Sequence, residues 1–235
     1  GLTHKHLTHL EGPAEELLSL LPEGAMLDGE LYQHKMNFSE LTSAVRTVKK
    51  IHPRLVDVEY CLFDISLPNM PFEKRYELLA QAMTKIKSPH LRLVPCREAS
   101  SPEDITKHHS DYVKDGYEGL MARKVSHGAD STTKRYRDSL YLEKRCNNIL
   151  KMKDFVDEEA LIEEVLEATG TEEGLSLFRV RDVRDNLLVV RMRGSFEDRR
   201  HWLLNPSEVL GKMVTIRYQE LSAYGVPIFH VGVAI

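Results

Sequence analysis

The pattern of the chain changes near residue 155, and this change restricts the folds that the sequence can adopt. Before it, segments with the apolar spacing of helices alternate with short β-rich segments. After it, strand-like segments follow one another, and a single helix-like segment, residues 196–204, interrupts them. The sequence therefore predicts two domains, a mixed α/β domain over residues 1–155 and an all-β domain over residues 156–235.

The all-β part contains a helix-like segment that precedes the fourth of its strand candidates. Five strands with the helix in this place are typical of a small barrel of the OB type. Trp202 lies in the helix-like segment, and we expect its large ring to anchor that helix to the barrel. The strand candidates are residues 159–168, 176–183, 187–193, 212–220 and 227–234.

Composition limits the class of protein. The hydrophobic content of 42% and the evenly spread charge exclude wholesale disorder, and no apolar run approaches the length of a membrane span. The three cysteines, Cys61, Cys96 and Cys146, are far apart and lack metal-ligand spacing. They are typical of reduced thiols, so the sequence predicts a globular cytoplasmic protein without a membrane partner.

The charge is unevenly distributed. Residues 107–153 contain 11 Lys and Arg against 6 Asp and Glu, a local charge of +5 within a chain of net charge −4. Such a segment predicts a localised anion-binding face. On charge alone, a solvated helix and loop surface is the more common explanation.

Two segments of the first domain carry groups suited to a nucleotide. In LDGELY (residues 27–32), a carboxylate beside a glycine at a strand kink can approach a ribose hydroxyl or a hydrated metal ion. In YCLFDI (residues 60–65), an aromatic ring on a strand can stack on a purine. A common Asp-Gly turn and a core phenylalanine are the alternatives.

Two later segments carry groups suited to phosphate and metal. In YEGLMARK (residues 117–124), Glu118 follows a glycine-containing turn and could face a metal or a phosphate-bound cation. In ILKMK (residues 149–153), Lys151 and Lys153 point to one face of a strand and repel each other unless an anion lies between them. A solvated acid and a lysine-protected edge strand are the alternatives.

In this order, the four segments resemble the motifs of ATP-dependent DNA ligases, members of the nucleotidyltransferase superfamily. LDGELY resembles motif III, YCLFDI motif IIIa, YEGLMARK motif IV and ILKMK motif V, and an OB-type module follows, as in that family. The segments YLEKR (residues 141–145) and VTIRYQEL (residues 214–221) also resemble those of small viral and phage-type ligases. The resemblance covers nearly the whole chain and implies a nucleotidyltransferase (adenylation) domain before the OB domain.

The resemblance implies roles for three residues that bind nucleotide or metal. Glu30 would contact the nucleotide ribose and help to organise the metal. Phe63 would stack on adenine. Glu118 would support the catalytic Mg²⁺ and act as the metal ligand.

It also implies roles for three basic residues. Lys151 and Lys153 would neutralise the α-phosphate of ATP and later of AMP, and with Glu30 and Glu118 they form the predicted catalytic set. Arg145 would contact the DNA. The implied cofactors are ATP (AMP) and Mg²⁺, and the implied partner is nicked duplex DNA, bound by a monomer in the cytoplasm (or host cytoplasm, for a viral protein).

One family motif is missing from these residues. Motif I, Lys-x-Asp-Gly, supplies the lysine that attacks ATP, and no such run occurs here. Lys114-Asp115-Gly116 is one residue too short, and we expect it to form a turn. The run at residues 1–10 resembles the stretch after motif Ia, and the basic motif VI is not found. We therefore expect Gly1 to be an internal residue of a longer ligase, and this chain to be unable to adenylate itself.

Three alternatives remain open. An RNA ligase and a capping-type nucleotidyltransferase share the superfamily motifs, and a non-catalytic DNA-binding module would tolerate the loss of motif I. The histidines His4, His6 and His9 lack the partner residues of a metal site. We therefore expect their side chains on the surface.

Overall fold

The computed structural model describes residues 6–47 and 50–235, so the first half of the run at residues 1–10, with His4, lies outside the described residues. The chain forms two compact units that divide between Met152 and Lys153. The first is mixed α/β, as predicted. Among the described residues, no helix is long and apolar enough to cross a membrane.

The first unit contains five helices and five strands among its described residues. In chain order they are α1 (Thr8–Ser19), β1 (Met26–Tyr32), α2 (Phe38–Arg46), β2 (Glu59–Ser66), α3 (Phe72–Met83), β3 (Leu91–Leu93), α4 (Pro102–Lys114), β4 (Gly119–Arg123), α5 (Lys134–Asp138) and β5 (Ile149–Lys153), whose last residue belongs to the second unit.

Two sheets organise this unit. β2 is the central strand of a three-stranded sheet, antiparallel to β1 and parallel to β3, and β4 pairs with β5 in a separate two-stranded sheet. Leu62 and Ile65 of β2 pack with Leu17 of α1 and Leu79 of α3 in the main core of the unit. The buried face of β2 therefore anchors the sheet, and Phe63 on the same strand is only half-buried.

The first helix begins earlier than its proline suggests. The sequence predicts a start at Pro13, but α1 begins at Thr8 and includes Pro13 in its interior. Leu10 and Leu17 are fully buried, and this helical spacing of core residues extends the helix towards the N-terminus. The gain from their burial exceeds the cost of one missing backbone hydrogen bond at the proline.

The sequence predicts N-caps at Ser39 for α2 and at Ser101 for α4, and the second is confirmed. Ser101 caps α4 and forms a capping box with Asp104, and Gly116, with φ +86°, makes the turn predicted after that helix. The cap of α2 was predicted at Ser39 but is Asn37, whose side chain accepts a hydrogen bond from the Glu40 N–H at 2.9 Å. Both residue types cap well, so position relative to the first buried residue decides between them.

The second unit is built almost entirely of strands. Its elements are β6 (Val156–Glu167), β7 (Ser176–Arg181), β8 (Leu187–Val190), α6 (Phe196–Leu204), β9 (Met213–Tyr218), β10 (Glu220–Leu221), β11 (Pro227–Ile228) and β12 (Val231–Ala234). Helix α6 has the predicted bounds and lies between β8 and β9.

Five of these strands form one sheet in the order β12-β9-β6-β7-β8. A parallel bridge between Met192 and Gly232 joins the chain after β8 to β12, so the two edges of the sheet meet. The enclosed core includes Phe178, and the Trp202 ring of α6 lies 5.7 Å from the Phe178 ring. The predicted role of Trp202 as the anchor of this helix is confirmed.

Candidate active site

The site residues predicted from the sequence lie on three strands, directly before a fourth strand, and in one loop. Glu30 is on β1 and Phe63 on β2, Glu118 directly precedes β4, and Arg145 is exposed in the loop before β5. The two lysines, Lys151 and Lys153, are on β5.

Glu30 belongs to an open face of the three-stranded sheet. It pairs with Cys61 on β2, and Cys61 pairs with Arg92 on β3. Paired residues share a face of a sheet, so these three side chains lie in one row. Glu30 is exposed, whereas burial raises the pKa of the Cys61 thiol to about 11. The thiol is therefore protonated at neutral pH, and Glu30 is the accessible acidic group of the row.

Phe63 occupies an irregular position on β2. Asp28 pairs with Asp64 and Gly29 pairs with Leu62, so Phe63 between them has no partner on β1. It is the extra residue of a β-bulge, a device that redirects a side chain. A Cβ at Gly29 would lie 2.6 Å from the Cys61 carbonyl oxygen, so the close approach of the strands at the bulge requires glycine there.

The structure brings Glu118 and Lys151 together. Their Oε2 and Nζ atoms are 3.9 Å apart, and both side chains are more than half exposed. Gly119, with φ +146°, makes this possible, because a Cβ there would lie 2.0 Å from the Met152 carbonyl oxygen. Lys153 donates a hydrogen bond to Gln219 Oε1 at 2.9 Å within the second unit.

An aromatic cluster surrounds the residue before Glu118. The Tyr117 ring stacks on Tyr32 of β1 at 6.3 Å and meets Tyr112 of α4 edge-on at 6.1 Å. Its hydroxyl accepts a hydrogen bond from Arg92 at 3.2 Å. Burial, and then the nearby Tyr117, raises the pKa of Tyr32. The cluster ties β1, β3 and α4 to the start of β4.

A buried ionic group lies beside the bulge. Asp64 is fully buried and accepts two hydrogen bonds from Arg75, at 2.8 and 2.9 Å, and a third from Arg123 at 2.5 Å. Arg75 also donates to the carbonyl oxygens of Met70 and Ser139. A buried carboxylate needs such partners, because its charge would otherwise lose its hydration without compensation.

A tyrosine completes this polar region. Tyr141 donates a hydrogen bond to Asp28 at 2.9 Å, and burial, followed by that hydrogen bond, raises its pKa to about 12. Tyr141, Arg75 and Arg123 line a cavity of about 60 Å³. A cavity of that volume accommodates ordered water.

Sequence reasoning missed Arg75, Arg123 and Tyr141. One signal was present: Asp64 stands among apolar residues of a β-rich segment, and a buried acid requires a cationic or hydrogen-bonding partner. Nothing in the sequence identified which of the chain's many basic residues would supply it.

Among the described residues, no group of three or more His, Cys, Asp or Glu side chains could hold a metal ion. Mg²⁺ is commonly held by one or two carboxylates together with substrate phosphates, so exposed carboxylates such as Glu118 and Glu30 suit it.

The predicted surface position of the histidines was wrong for His9. Its side chain is half-buried, and its Nε2 lies 3.0 Å from the Val58 carbonyl oxygen.

A family model described as ATP dependent DNA ligase domain matches residues 3–153. The chain belongs to the ATP-dependent DNA ligase family. The matched range contains all four motif-like segments, so the predicted family and its dependence on ATP are confirmed. The RNA-ligase and capping-enzyme alternatives gain no support.

Solved structures agree in fold. One comes from a structure–function study of Lig E DNA ligases, which are described as binding DNA with a minimal scaffold. It has a TM-score of 0.74 and 20% identity, and the match covers 93% of this chain and 79% of that one. Another, named Pmar-Lig_Pre, has a TM-score of 0.76 and 22% identity, and the match covers 96% of this chain and 55% of that one. The chain thus spans about half the length of the second structure. No curated protein matches the chain.

Proposed function

We propose that this protein seals nicks with a 5′-phosphate and a 3′-hydroxyl in duplex DNA, through enzyme-AMP and DNA-adenylate intermediates. The match of the ligase domain to residues 3–153 is the observation that carries this proposal. The 3.9 Å distance between Glu118 Oε2 and Lys151 Nζ supports this proposal, because it places an acidic and a basic group at one point of the surface.

The basic residues of β5 would act on the phosphate. Each step of the reaction develops negative charge on phosphate oxygens, and cations close to those oxygens stabilise it. Lys151 and Lys153 would supply this charge, and Arg145 would contact a DNA phosphate. Glu118 would hold Mg²⁺, which supplies further charge neutralisation when bound.

The three-stranded sheet would hold the nucleoside. Glu30 is exposed on its open face, where a carboxylate can accept hydrogen bonds from ribose hydroxyls. Phe63 would stack on adenine, and its place in a β-bulge supports this role, because bulges often redirect side chains next to active sites.

We also propose that residues 1–155 are the adenylation domain and residues 156–235 an OB-fold domain. The order of the five strands, the parallel bridge between Met192 and Gly232, and the position of α6 before β9 support the OB assignment. Such a domain would hold duplex DNA mainly through its phosphate backbone, with little sequence preference.

The test begins from a nick that already carries AMP, because the 235 residues contain no Lys-x-Asp-Gly run. We expect the protein with Mg²⁺ to seal a pre-adenylated nick in DNA and not the same nick in RNA. Lys151→Ala should lower the rate on the order of 100-fold, since it removes charge stabilisation of the transition state.

Lys87→Ala, a change of an exposed lysine after α3, is the matched control and should seal at the wild-type rate. Binding of nicked DNA without any sealing would contradict the proposal and favour a non-catalytic binding module. Covalent AMP on this chain after incubation with ATP and Mg²⁺ would contradict the expectation that it cannot adenylate itself.

Two further proposals concern the whole protein. We propose that it acts as a monomer, which light scattering after gel filtration would test. We also propose a cytoplasmic location (or host cytoplasm, for a viral protein), supported by three cysteines that form no disulfide and tested by cell fractionation.

A further inference from the structure

Phe63 needs an orienting contact that its strand does not supply. It is the unpaired residue of the β-bulge, so no residue of β1 lies opposite it. Its ring is only half-buried, which leaves part of it open to a ligand. A ring that stacks on a nucleobase must be held in one plane, and for Phe63 that restraint has to come from another element.

Arg123 at the end of β4 provides such a contact. Its guanidinium carbon lies 5.5 Å from the centre of the Phe63 ring and 4.9 Å from the centre of the Phe72 ring. The Arg123 side chain is only 15% exposed. A cation at this distance from an aromatic ring is attracted by its π electrons, most strongly where water is excluded.

Arg123 is itself fixed in position. Its Nη1 donates to Asp64 Oδ2 at 2.5 Å, and Asp64 is anchored independently by two hydrogen bonds from Arg75. Asp64 is the residue directly after Phe63. The carboxylate therefore holds the guanidinium beside the ring.

We propose that Arg123 is a positioning residue, which holds the Phe63 ring ready to stack on adenine and so sets the affinity of the site for the adenine nucleotide. This inference rests on the proposed function, because it assigns Phe63 to the base. It also links β4, which follows Glu118, to the strand that would hold the nucleoside.

The experiment measures binding of radiolabelled AMP by equilibrium dialysis to four proteins: wild type, Arg123→Met, Phe63→Leu and the double variant. Methionine keeps much of the buried length, and Asp64 retains Arg75 as its partner. We expect Arg123→Met to weaken AMP binding roughly tenfold, because a ring that holds the stacking orientation for only about a tenth of the time lowers the apparent affinity by that factor.

The double variant decides how Arg123 acts. If it works through Phe63, the double variant binds AMP no more weakly than Phe63→Leu alone. Fully additive losses would overturn the proposal, as would wild-type affinity in Arg123→Met. The matched control is Arg135→Met, an exposed arginine of α5, which should bind AMP like the wild type.

A second variant and a second readout separate positioning from folding. Arg123→Lys keeps the cation, so it should recover part of the lost affinity, and equal losses in the lysine and methionine variants would overturn the proposal. On the pre-adenylated nick, Arg123→Met should raise KM and leave kcat nearly unchanged. Circular dichroism identifies any variant that fails to fold. If Arg123→Met fails to fold, the AMP affinity of Arg123→Lys tests the proposal in its place. A wild-type protein that neither binds AMP nor seals the nick would instead contradict the proposed function.

Discussion

Asp64 shows how one buried charge organises its surroundings. It is fully buried, yet it accepts hydrogen bonds from two arginines that lie 11 and 59 residues further along the chain. Only the presence of such a partner could be inferred from the sequence, because an acid in an apolar strand needs one. Which arginines meet it depends on how α3 and β4 pack against β2.

Removing one of these arginines leads to the first prediction at this scale. Arg75→Met should lower the free energy of unfolding by about 3–5 kcal/mol, because it takes away the bidentate partner of a buried carboxylate and a donor to two carbonyl groups. Urea unfolding followed by circular dichroism measures the change.

Lys74→Met is the matched control for Arg75→Met. Lys74 is exposed and forms a surface ion pair with Glu77 one helical turn away, so its loss should cost less than about 0.5 kcal/mol. Equal stabilities of the two variants would show that the buried ionic group does not stabilise the fold.

The pairing of β4 with β5 is the element that joins the acidic and basic parts of the candidate site. Glu118 and Lys151 meet only because the two strands approach closely at Gly119, where the backbone has φ +146° and no room exists for a side chain. The pattern of residues 117–124 and 148–155 predicts both strands. It did not predict that glycine would be required by the carbonyl group of Met152.

For this pair of strands we predict that Gly119→Ala separates the start of β4 from the end of β5. Sealing of a pre-adenylated nick should fall on the order of 100-fold, because displacement of a catalytic group by about 1 Å has an effect of that size. Strand content by circular dichroism should change little.

Gly128→Ala is the control for backbone strain. Gly128 also has a positive φ, of +72°, but a Cβ there meets nothing within 4 Å. If Gly128→Ala loses as much activity as Gly119→Ala, the contact with Met152 is not the cause.

At the scale of the whole molecule, the two units have separate hydrophobic cores. The core of the second unit contains only residues of that unit, and the two clusters of the first unit contain only its own residues. Trp202 is the single tryptophan of the chain, and it packs on Phe178. Its fluorescence therefore reports unfolding of the second unit alone.

The second unit carries a pH-sensitive ionic group. Arg191, followed by Arg199, lowers the pKa of Glu172 from 4.5 to about 2. A carboxyl group whose pKa is lower in the folded than in the unfolded protein stabilises the fold fully at any pH above its unfolded-state pKa. This stabilisation is lost as the pH falls towards the folded-state pKa. The melting temperature reported by Trp202 should therefore fall between about pH 4.5 and pH 2.

Glu172→Gln should lower that melting temperature at neutral pH and flatten its dependence on pH across the same interval. Glu173→Gln, a change of the exposed neighbouring acid, should behave as the wild type does. Parallel pH curves for Glu172→Gln and the wild type would contradict the assignment.

The sequence by itself determined the features that depend on neighbouring residues: the cap of α4, the bounds of α6, the run of strands in the second unit and the motif-like segments that indicate the family. Only the tertiary structure decided the bulge at Phe63 and the contacts of Arg123 with Phe63 and Asp64. Spacing along the chain controls capping and periodicity, whereas contacts between distant residues depend on strand register and packing, which no local pattern encodes.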